Sequence, residues 1–337
     1  MKKSAKLVDP LPIAVVIPAH NAEHFLKDAL ESIWVQTFRP AEVILVNDGS
    51  VDGTAAIGLA HQVTVISQPQ MGHAAARNTG IRATSQPWIA FLDADDVWEA
   101  DKLEAQWAAV RTCSDVGIVC CDFSEFDANG LRGGSFLSRK AHYQRIQGTR
   151  IAQSVMCCDP ESLRHEFWEG NFMTPSTVLV RRDLLLRVGL FDPSLPHLED
   201  RDCWLRLLAV SARVAVVERP LMRSRIHKAN LSRDQLEHNE AGIMLVERVL
   251  ANPARYPSGA AERYRKERPV WHLNAGRFAE ERGLIRQARR RYLQAWRFGG
   301  GLLPLALAVL SYFPAPIRRV ARAIRHLSPP PPGRPPQ

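Results

Sequence analysis

Three aspartates, Asp93, Asp95 and Asp96, stand within four positions of FLDADDVW, directly after the apolar run WIAFL. Neighbouring carboxylates repel one another and are costly to take out of water, so such a cluster calls for a compensating charge. One candidate is a divalent cation, since hard ions take oxygen ligands. Mg²⁺ and Mn²⁺ usually bridge one or two carboxylates to substrate phosphates rather than sit in all-protein cages, which points to a phosphorylated or nucleotide ligand. The alternative is an acidic turn capping a helix that starts near Glu99, and Asp96 suits it because aspartate is a preferred cap and turn residue. A second aspartate, Asp48, closes another apolar run in VILVNDGSVDGT, where Gly49, Asp52 and Gly53 read as turn residues. In GHAAARN, Gly72 stands at the mouth of a helix and Arg77 lies on it, as a phosphate contact or as a solvated cation. A third acidic group, Glu199 and Asp200 of LEDRD, follows about a hundred residues later.

The elements that position these residues alternate. IAVVIPAHN reads as a buried strand ending at Pro18, and AEHFLKDALESIWVQ as a helix with Phe25, Leu26, Ala29, Leu30 and Ile33 at helical spacing. AEVILVNDGS, VTVISQP and PWIAFLDADD read as further strands, with VDGTAAIGLAHQ and GHAAARNTGIRATS as the helices between them. Then come ADKLEAQWAAVRTC as helix, VGIVCCDFSEF as strand, TPSTVLVRRDLLLRVGLFD as strand then helix, and LEDRDCWLRLLAVS as an amphipathic helix whose apolar side is Trp204, Leu205, Leu207 and Leu208. Strands alternating with helices imply a mostly parallel α/β sheet flanked by helices, with the loops after the strands along one edge. Residues 130 to 170 lack a clear period and read as a loop-rich excursion.

The 337 residues are 46% hydrophobic and 23% charged, a balance that excludes a disordered chain. The net charge of +9 is uneven: from Ala251 onward there are 17 Lys and Arg against 4 Asp and Glu, which leaves residues 1 to 250 acidic. Aromatic interleaving and recognised nucleic-acid modules are absent from this tail, so the sequence implies no nucleic-acid partner. Leu302 to Phe313 is uncharged, but about 18 Å of helix is too short for a hydrocarbon core of about 30 Å. IRRVARAIRHL puts Val320, Ile324 and Leu327 on one helical face among four arginines, the pattern of an interfacial membrane helix. A helix pair packed on the preceding domain is the alternative. The six cysteines show no C-x-x-C spacing and follow no secretory signal, so they read as reduced cytoplasmic thiols in apolar positions.

Taken in order, VVIPAHNAEHFLKDALESI, VILVNDGSVDGT, GHAAARNTGI, WIAFLDADD, STVLVRRDLLLRVGLFD and LEDRDCWLRL resemble the family 2 glycosyltransferases over about residues 11 to 230. The resemblance implies a GT-A (Rossmann-like) fold and inverting transfer of a sugar from a nucleotide diphosphate, a UDP-sugar by preference, to an acceptor hydroxyl. It implies a nucleoside pocket at Pro18, Ala19, His20 and Asn21 with Glu23 close by, base recognition by Asp48, and Arg77 near the nucleotide. Asp93 and Asp95 match a D-x-D motif, Asp93 toward the ribose and Asp95 on a divalent Mn²⁺ or Mg²⁺. Asp200 matches the general base, with Glu199 beside it, and RIHKANLS offers His227 to the metal or diphosphate. His20 departs from the aromatic residue often found before this asparagine, which leaves the base less defined. A nucleotidyltransferase and a nucleotide-sugar binding module without catalysis are the competing readings. The former usually carries a Gly-rich, lysine-containing loop near the first strand, where IPAHNAE stands instead; the latter is opposed by the intact DADD and LEDRD.

The expected organisation is an N-terminal tail over 1–10, a nucleotide-sugar domain over 11–230 and an Arg-rich helical region over 231–298. An apolar and basic membrane-associating segment over 299–327 and a Pro-rich tail over 328–337 follow. The expected acceptor is a glycan or lipid-linked molecule, and the expected location is the cytoplasm, at the inner face of the cell membrane.

Overall fold

The computed structural model describes residues 10–141, 143–211, 213–227 and 234–313. The interfacial pattern IRRVARAIRHL, the Pro-rich tail and most of the N-terminal tail lie outside them. Packing divides the chain into two units, residues 1–194 with 199–227, and residues 195–198 with 228–337.

The strands of the first unit are β1 (Leu11–Ala19), β2 (Pro40–Asp48), β3 (Thr64–Gln68), β4 (Trp88–Phe91), β5 (Val97–Trp98), β6 (Val116–Asp127), β7 (Gly130–Leu131), β8 (Thr149–Ala152), β9 (Val155–Cys158), β10 (Val178–Arg181) and β11 (Arg213–Arg225). They form one sheet in the order β3-β2-β1-β4-β10-β6-β11-β9-β8, with β5 paired to β11 and β7 to β6. Strands β1 to β4 run parallel. β10 enters antiparallel between β4 and β6. The helices of this unit are α1 (Leu26–Trp34), α2 (Thr54–Ala60), α3 (His73–Ala83), α4 (Lys102–Thr112), α5 (Pro160–Glu169), α6 (Arg182–Val188) and α7 (Glu199–Leu208).

Strand β1 is apolar on both sides because both are covered. Ile13, Val15 and Ile17 join Leu26, Ala29, Leu30 and Ile33 of α1 in the main core. On the opposite side α3 lies so close that a Cβ on Gly80 would come within 2.4 Å of Val16 Cγ1. Glycine therefore sets the depth at which α3 rests on the sheet, and with it the height of Arg77 one turn earlier. Full burial of such aliphatic side chains contributes about 1.5–3 kcal/mol each.

Several elements differ from the sequence reading. Residues 130–170 hold β8, β9 and α5 besides 3₁₀ turns, and β9 pairs with β11. Helix α7 is buried on nearly every side, because Arg201, Asp202 and Arg206 are covered as well as Trp204 and the leucines. Arg206 Nε donates to Asp202 one turn away at 2.9 Å and Arg206 also reaches the Val188 carbonyl on α6, so this buried pair is satisfied by hydrogen bonds. The expectation of six free thiols is corrected at two positions. Cys113, at the end of α4, and Cys157, on β9, are disulfide-bonded with Cα atoms 6.0 Å apart, a spacing that a disulfide bridges without backbone movement. The other four cysteines are free and buried.

The second unit carries α8 (Gln235–Ala251), α9 (Ala260–Glu281), α10 (Ile285–Arg297) and α11 (Leu302–Leu310). Ile243, Ala275, Ala279, Ala288, Tyr292, Leu307 and Ala308 make its core. Among the described residues no helix is long and apolar enough to cross a membrane.

Candidate functional site

The parallel register brings the acidic motifs to one edge. Ala19 lies opposite Asn47, and Val16 opposite Phe91, so the residues that follow each strand emerge side by side. His20 and Asn21, Asp48, and the Asp93–Asp96 turn therefore share the C-terminal edge of the sheet, where open α/β sheets place their ligands. Asp96 N–H donates to the Asp93 carbonyl at 3.1 Å, which closes the turn. The Asp96 carboxylate accepts from the Arg225 N–H at 3.1 Å, and burial pushes its pKa well above the ordinary range. Asp96 thus belongs to the architecture of the turn.

Arg77 ties two of the acidic motifs together. From α3 its Nη2 donates to Asp93 at 2.8 Å and its Nη1 to Glu199 at 2.6 Å, with the guanidinium only 3% exposed. The Phe191 ring lies 5.5 Å beneath the guanidinium, and Arg77 Nε is buried without a hydrogen-bond partner among the described residues. Burial opposes the charge on Arg77, but Asp93 and Glu199 outweigh it and raise its pKa. Its contacts are with protein carboxylates on both sides, which makes it a strut between the DAD turn and the start of α7.

Asp200 follows Glu199 on the first turn of α7. Leu198, the residue before this helix, has φ of +62°, a left-handed conformation that costs a non-glycine residue about 1–3 kcal/mol. Asp200 Oδ2 accepts from Asn171 Nδ2 at 2.7 Å and Oδ1 from the Arg201 N–H at 2.7 Å. Burial first, and the neighbouring Glu199 charge second, push its pKa up to about 7. A carboxyl poised there exchanges a proton at neutral pH, as a general base must. Asn171 escaped the sequence reading because it lies in a stretch without period. Its carbonyl accepts the Met173 N–H at 3.0 Å, and Trp204 Nε1 pins the Met173 carbonyl at 2.7 Å, so the amide that holds Asp200 is itself held.

Antiparallel pairing brings Asp95 to His227. Val97 of β5 lies opposite Arg223 of β11, so the same register carried outward sets Asp95 near Arg225, with His227 just beyond. Arg225 Nε donates to the Asp95 carbonyl at 3.0 Å, and His227 Nε2 lies 2.9 Å from Asp95 Oδ2. The His227 ring stacks on Phe25 with centroids 4.6 Å apart. Burial, and then Asp93, raise the Asp95 pKa, the behaviour of a carboxylate that lacks enough positive charge. One hard oxygen donor and one imidazole, both partly exposed, fit a divalent ion completed by phosphate oxygens. Among the described residues no group of three or more His, Cys, Asp or Glu is gathered to hold a metal ion.

The remaining candidates build the loops between strands and helices. Pro18 and Ala19 are buried at the end of β1. His20 Nδ1 lies 2.7 Å from the Asp48 carbonyl, and Asn21, at φ of +49°, accepts the Val51 N–H at 2.9 Å. The exposed Glu23 accepts the Gly53 N–H at 2.8 Å, which laces the β1–α1 loop to the β2–α2 loop. The Asp48 carboxylate is 3% exposed and accepts from Gln68 Nε2 at 2.7 Å, Met71 N–H at 2.9 Å and Gly72 N–H at 2.8 Å. Asp48 therefore orders residues 68–72 ahead of α3. Gly49 beside it has φ of +71°, and a Cβ there would meet Gln70 N at 2.7 Å.

Comparison with known proteins bears on the fold and the family. The structure is similar to that of Staphylococcus aureus TarS residues 1–349 in complex with UDP-GlcNAc, with a TM-score of 0.62 at 14% identity over 94% of this chain and 92% of that one. It is also similar to the mannosyltransferase PcManGT from Pyrobaculum calidifontis in complex with GDP-Man and Mn²⁺, with a TM-score of 0.54 at 17% identity over 96% and 88% of the two chains. At these identities the likeness shows the GT-A fold. In sequence the chain is 30% identical to the putative glycosyltransferase EpsH of Bacillus subtilis over 267 residues, 76% of this chain and 72% of that one. It is 28% identical to an uncharacterized glycosyltransferase of Rickettsia typhi over 238 residues, 68% and 69% of the two chains. The model of the family described as Glycosyl transferase family 2 matches residues 14–188, more than half of the chain, and the chain belongs to that family.

Proposed function

We propose that the chain moves a sugar from a nucleotide diphosphate donor, a UDP-sugar by preference, to an acceptor hydroxyl with inversion at the anomeric carbon. The observation that carries this reading is the Asp200 carboxyl, pushed up to about 7 and held by Asn171 beside an acidic turn to which Arg77 ties its neighbour Glu199. An acceptor hydroxyl is a poor nucleophile at neutral pH, and a positioned base that removes its proton during attack contributes about 10² to 10⁴ in rate. Asp200 takes that proton while the acceptor oxygen bonds to the anomeric carbon and the bond to the nucleotide diphosphate breaks on the opposite face.

Asp95 and His227 would hold the divalent ion, Mn²⁺ or Mg²⁺. When bound it supplies Lewis-acid neutralisation of the charge on the departing diphosphate. Asp93 faces the ribose side, with its carboxylate oriented by the hydrogen bond from Arg77. His20 and Asn21, at the end of the Pro18–Ala19 strand, line the nucleoside side with Glu23 bracing the loop, and Asp48 shapes the wall formed by residues 68–72. The acceptor is a glycan or lipid-linked hydroxyl in cell-surface polysaccharide or glycolipid synthesis.

Release of free nucleotide from a panel of nucleotide sugars, with Mn²⁺ and a glycan or lipid-linked acceptor, tests the reading. Acceptor-dependent release that Asp200→Asn abolishes, with donor affinity retained, is expected. Donor binding without acceptor-dependent release across the panel would instead mark a binding module.

A further inference from the structure

The second unit leaves a helix face uncovered. Helix α11 has no charged residue, and its inner side, Pro304, Leu307 and Ala308, is buried. Its outer side is Leu302 at 78% exposure, Ala306 and Val309 at 52%, spaced at i, i+4 and i+7 on one helical face, with the exposed Phe313 just past the helix end. Helix α10 packs beside it: Gly300 N–H donates to the Ala295 carbonyl at 2.9 Å, and Arg289 Nε donates to Ser311 Oγ at 2.9 Å. While Ala288, Tyr292 and Ala295 of α10 face the core, its outer face carries Arg286, Arg290, Leu293, Trp296 and Arg297, all exposed. Arg289 lies 3.3 Å over the Tyr312 ring, which places a cation and an exposed aromatic together at the boundary of the two helices. Apolar side chains with an aromatic at each border and arginines on one flank are the composition of a surface that lies in a lipid headgroup region.

Charge decides what covers this face. From Arg282 to the end of the chain there are 11 arginines and no aspartate or glutamate. A second copy of this chain would set arginines against arginines, and the chain's own residues 314–337 bring five further arginines and no acidic residue to answer them. Anionic lipid headgroups answer both the charge and the apolar side chains. We infer that the outer face of α10 and α11 docks on the surface of a bilayer bearing anionic lipids, with Leu302, Val309 and Trp296 entering the headgroup boundary and Arg286, Arg290 and Arg297 meeting the phosphates. Nine residues of helix rise about 14 Å against an apolar thickness of about 30 Å, so α11 lies on the bilayer rather than crossing it. The inference gives a physical place to the lipid-linked acceptor proposed above, yet its test needs neither donor nor acceptor, so the two can fail separately.

The test is flotation of the full chain with phosphatidylcholine vesicles with and without phosphatidylglycerol, at low and high salt. Binding is expected only with phosphatidylglycerol and to weaken as salt rises. Each of Arg286→Gln, Arg290→Gln and Arg297→Gln should weaken partition by about fivefold, the worth of one basic residue near an anionic surface. Leu302→Asp with Val309→Asp, at exposed positions that leave the circular dichroism spectrum unchanged, should abolish it. Equal partition into both kinds of vesicle, no partition at all, or full binding by the double variant would overturn the proposal. So would a dimer in light scattering that the double variant converts to monomer, because the face would then belong to a second copy.

Discussion

Replacing Arg77 by methionine removes the guanidinium and keeps much of its length. The structure assigns it two charge-assisted hydrogen bonds, to Asp93 at 2.8 Å and to Glu199 at 2.6 Å, at 3% exposure. Glu199 is 13% exposed and Asp93 27%, so the first carboxylate bears most of the loss and water partly rescues the second. Breaking a buried pair from one side costs about 3–5 kcal/mol, because the remaining charge is left uncompensated. For a unit of this size each kcal/mol moves the melting temperature by about 2–4 °C, so Arg77→Met should lower it by about 6–20 °C. Thermal unfolding of both proteins at pH 7.5 measures it. Adding Glu199→Gln and Asp93→Asn to the variant should recover most of the loss at pH 7.5. A gap of less than about 1 kcal/mol, the value of an exposed pair, or no recovery on adding the two carboxylate changes, would refute the buried strut.

The other expectations follow from the same network. Rate under saturating donor and acceptor should rise with pH through about 7 as Asp200 ionises, and Glu199→Gln should move that limb to lower pH by removing a like charge. Asn171→Ala withdraws a hydrogen bond from the ionised form and should move the limb to higher pH, read from the pH profile of turnover. Asp200 has its pKa raised from 3.8, so the native state binds its proton more tightly and wild type loses stability as pH rises from 3.8 toward about 7; Asp200→Asn should gain stability relative to wild type over that window in urea unfolding. In calorimetry, Asp95→Ala should lose the Mn²⁺-dependent part of nucleotide affinity, and retention of that part would remove Asp95 from the metal's ligands. Gly80→Ala drives a Cβ to 2.4 Å from Val16 and should cost about 1–3 kcal/mol of overpacking in denaturant unfolding.

The parallel half of the fold was legible because these strands announce themselves twice, by an apolar run and by the turn residues that follow it. IAVVIPA, EVILVND and WIAF became β1, β2 and β4, with Asp48 and the Asp93–Asp96 turn at the expected edge. What failed to show was held by distant partners. RVAVVERPLMRSR, flanked by arginines and broken by Pro220, reads poorly as a strand, yet β11 pairs with β5, β6 and β9, and its register shifts around Pro220 to accommodate the missing N–H. Helix α7 read as amphipathic because sequence counts Arg201, Asp202 and Arg206 as polar. The burial of Asp202 and Arg206 follows from their pairing and from a carbonyl on the preceding helix, which no local pattern records.

The site divides along the same line. Residue types were visible, since clustered carboxylates at strand ends are rare enough to ask for a cause. The couplings were not, because each joins residues remote in sequence: Arg77 to Glu199 across 122 positions, Asp95 to His227 across 132 and Asn171 to Asp200 across 29. Arg77, read from sequence as a phosphate contact or a solvated cation, proves to face two protein carboxylates. The difference has a mechanical consequence. A cation on the phosphate would act only while donor is bound, whereas a strut from α3 to both acidic motifs holds the spacing of the DAD turn and of Asp200 before any ligand arrives. In the transfer proposed above, preorganisation of that kind would let the base and the leaving-group site act together on opposite faces of one carbon, since misplacement of either by about 1 Å can cost about 10²-fold in rate.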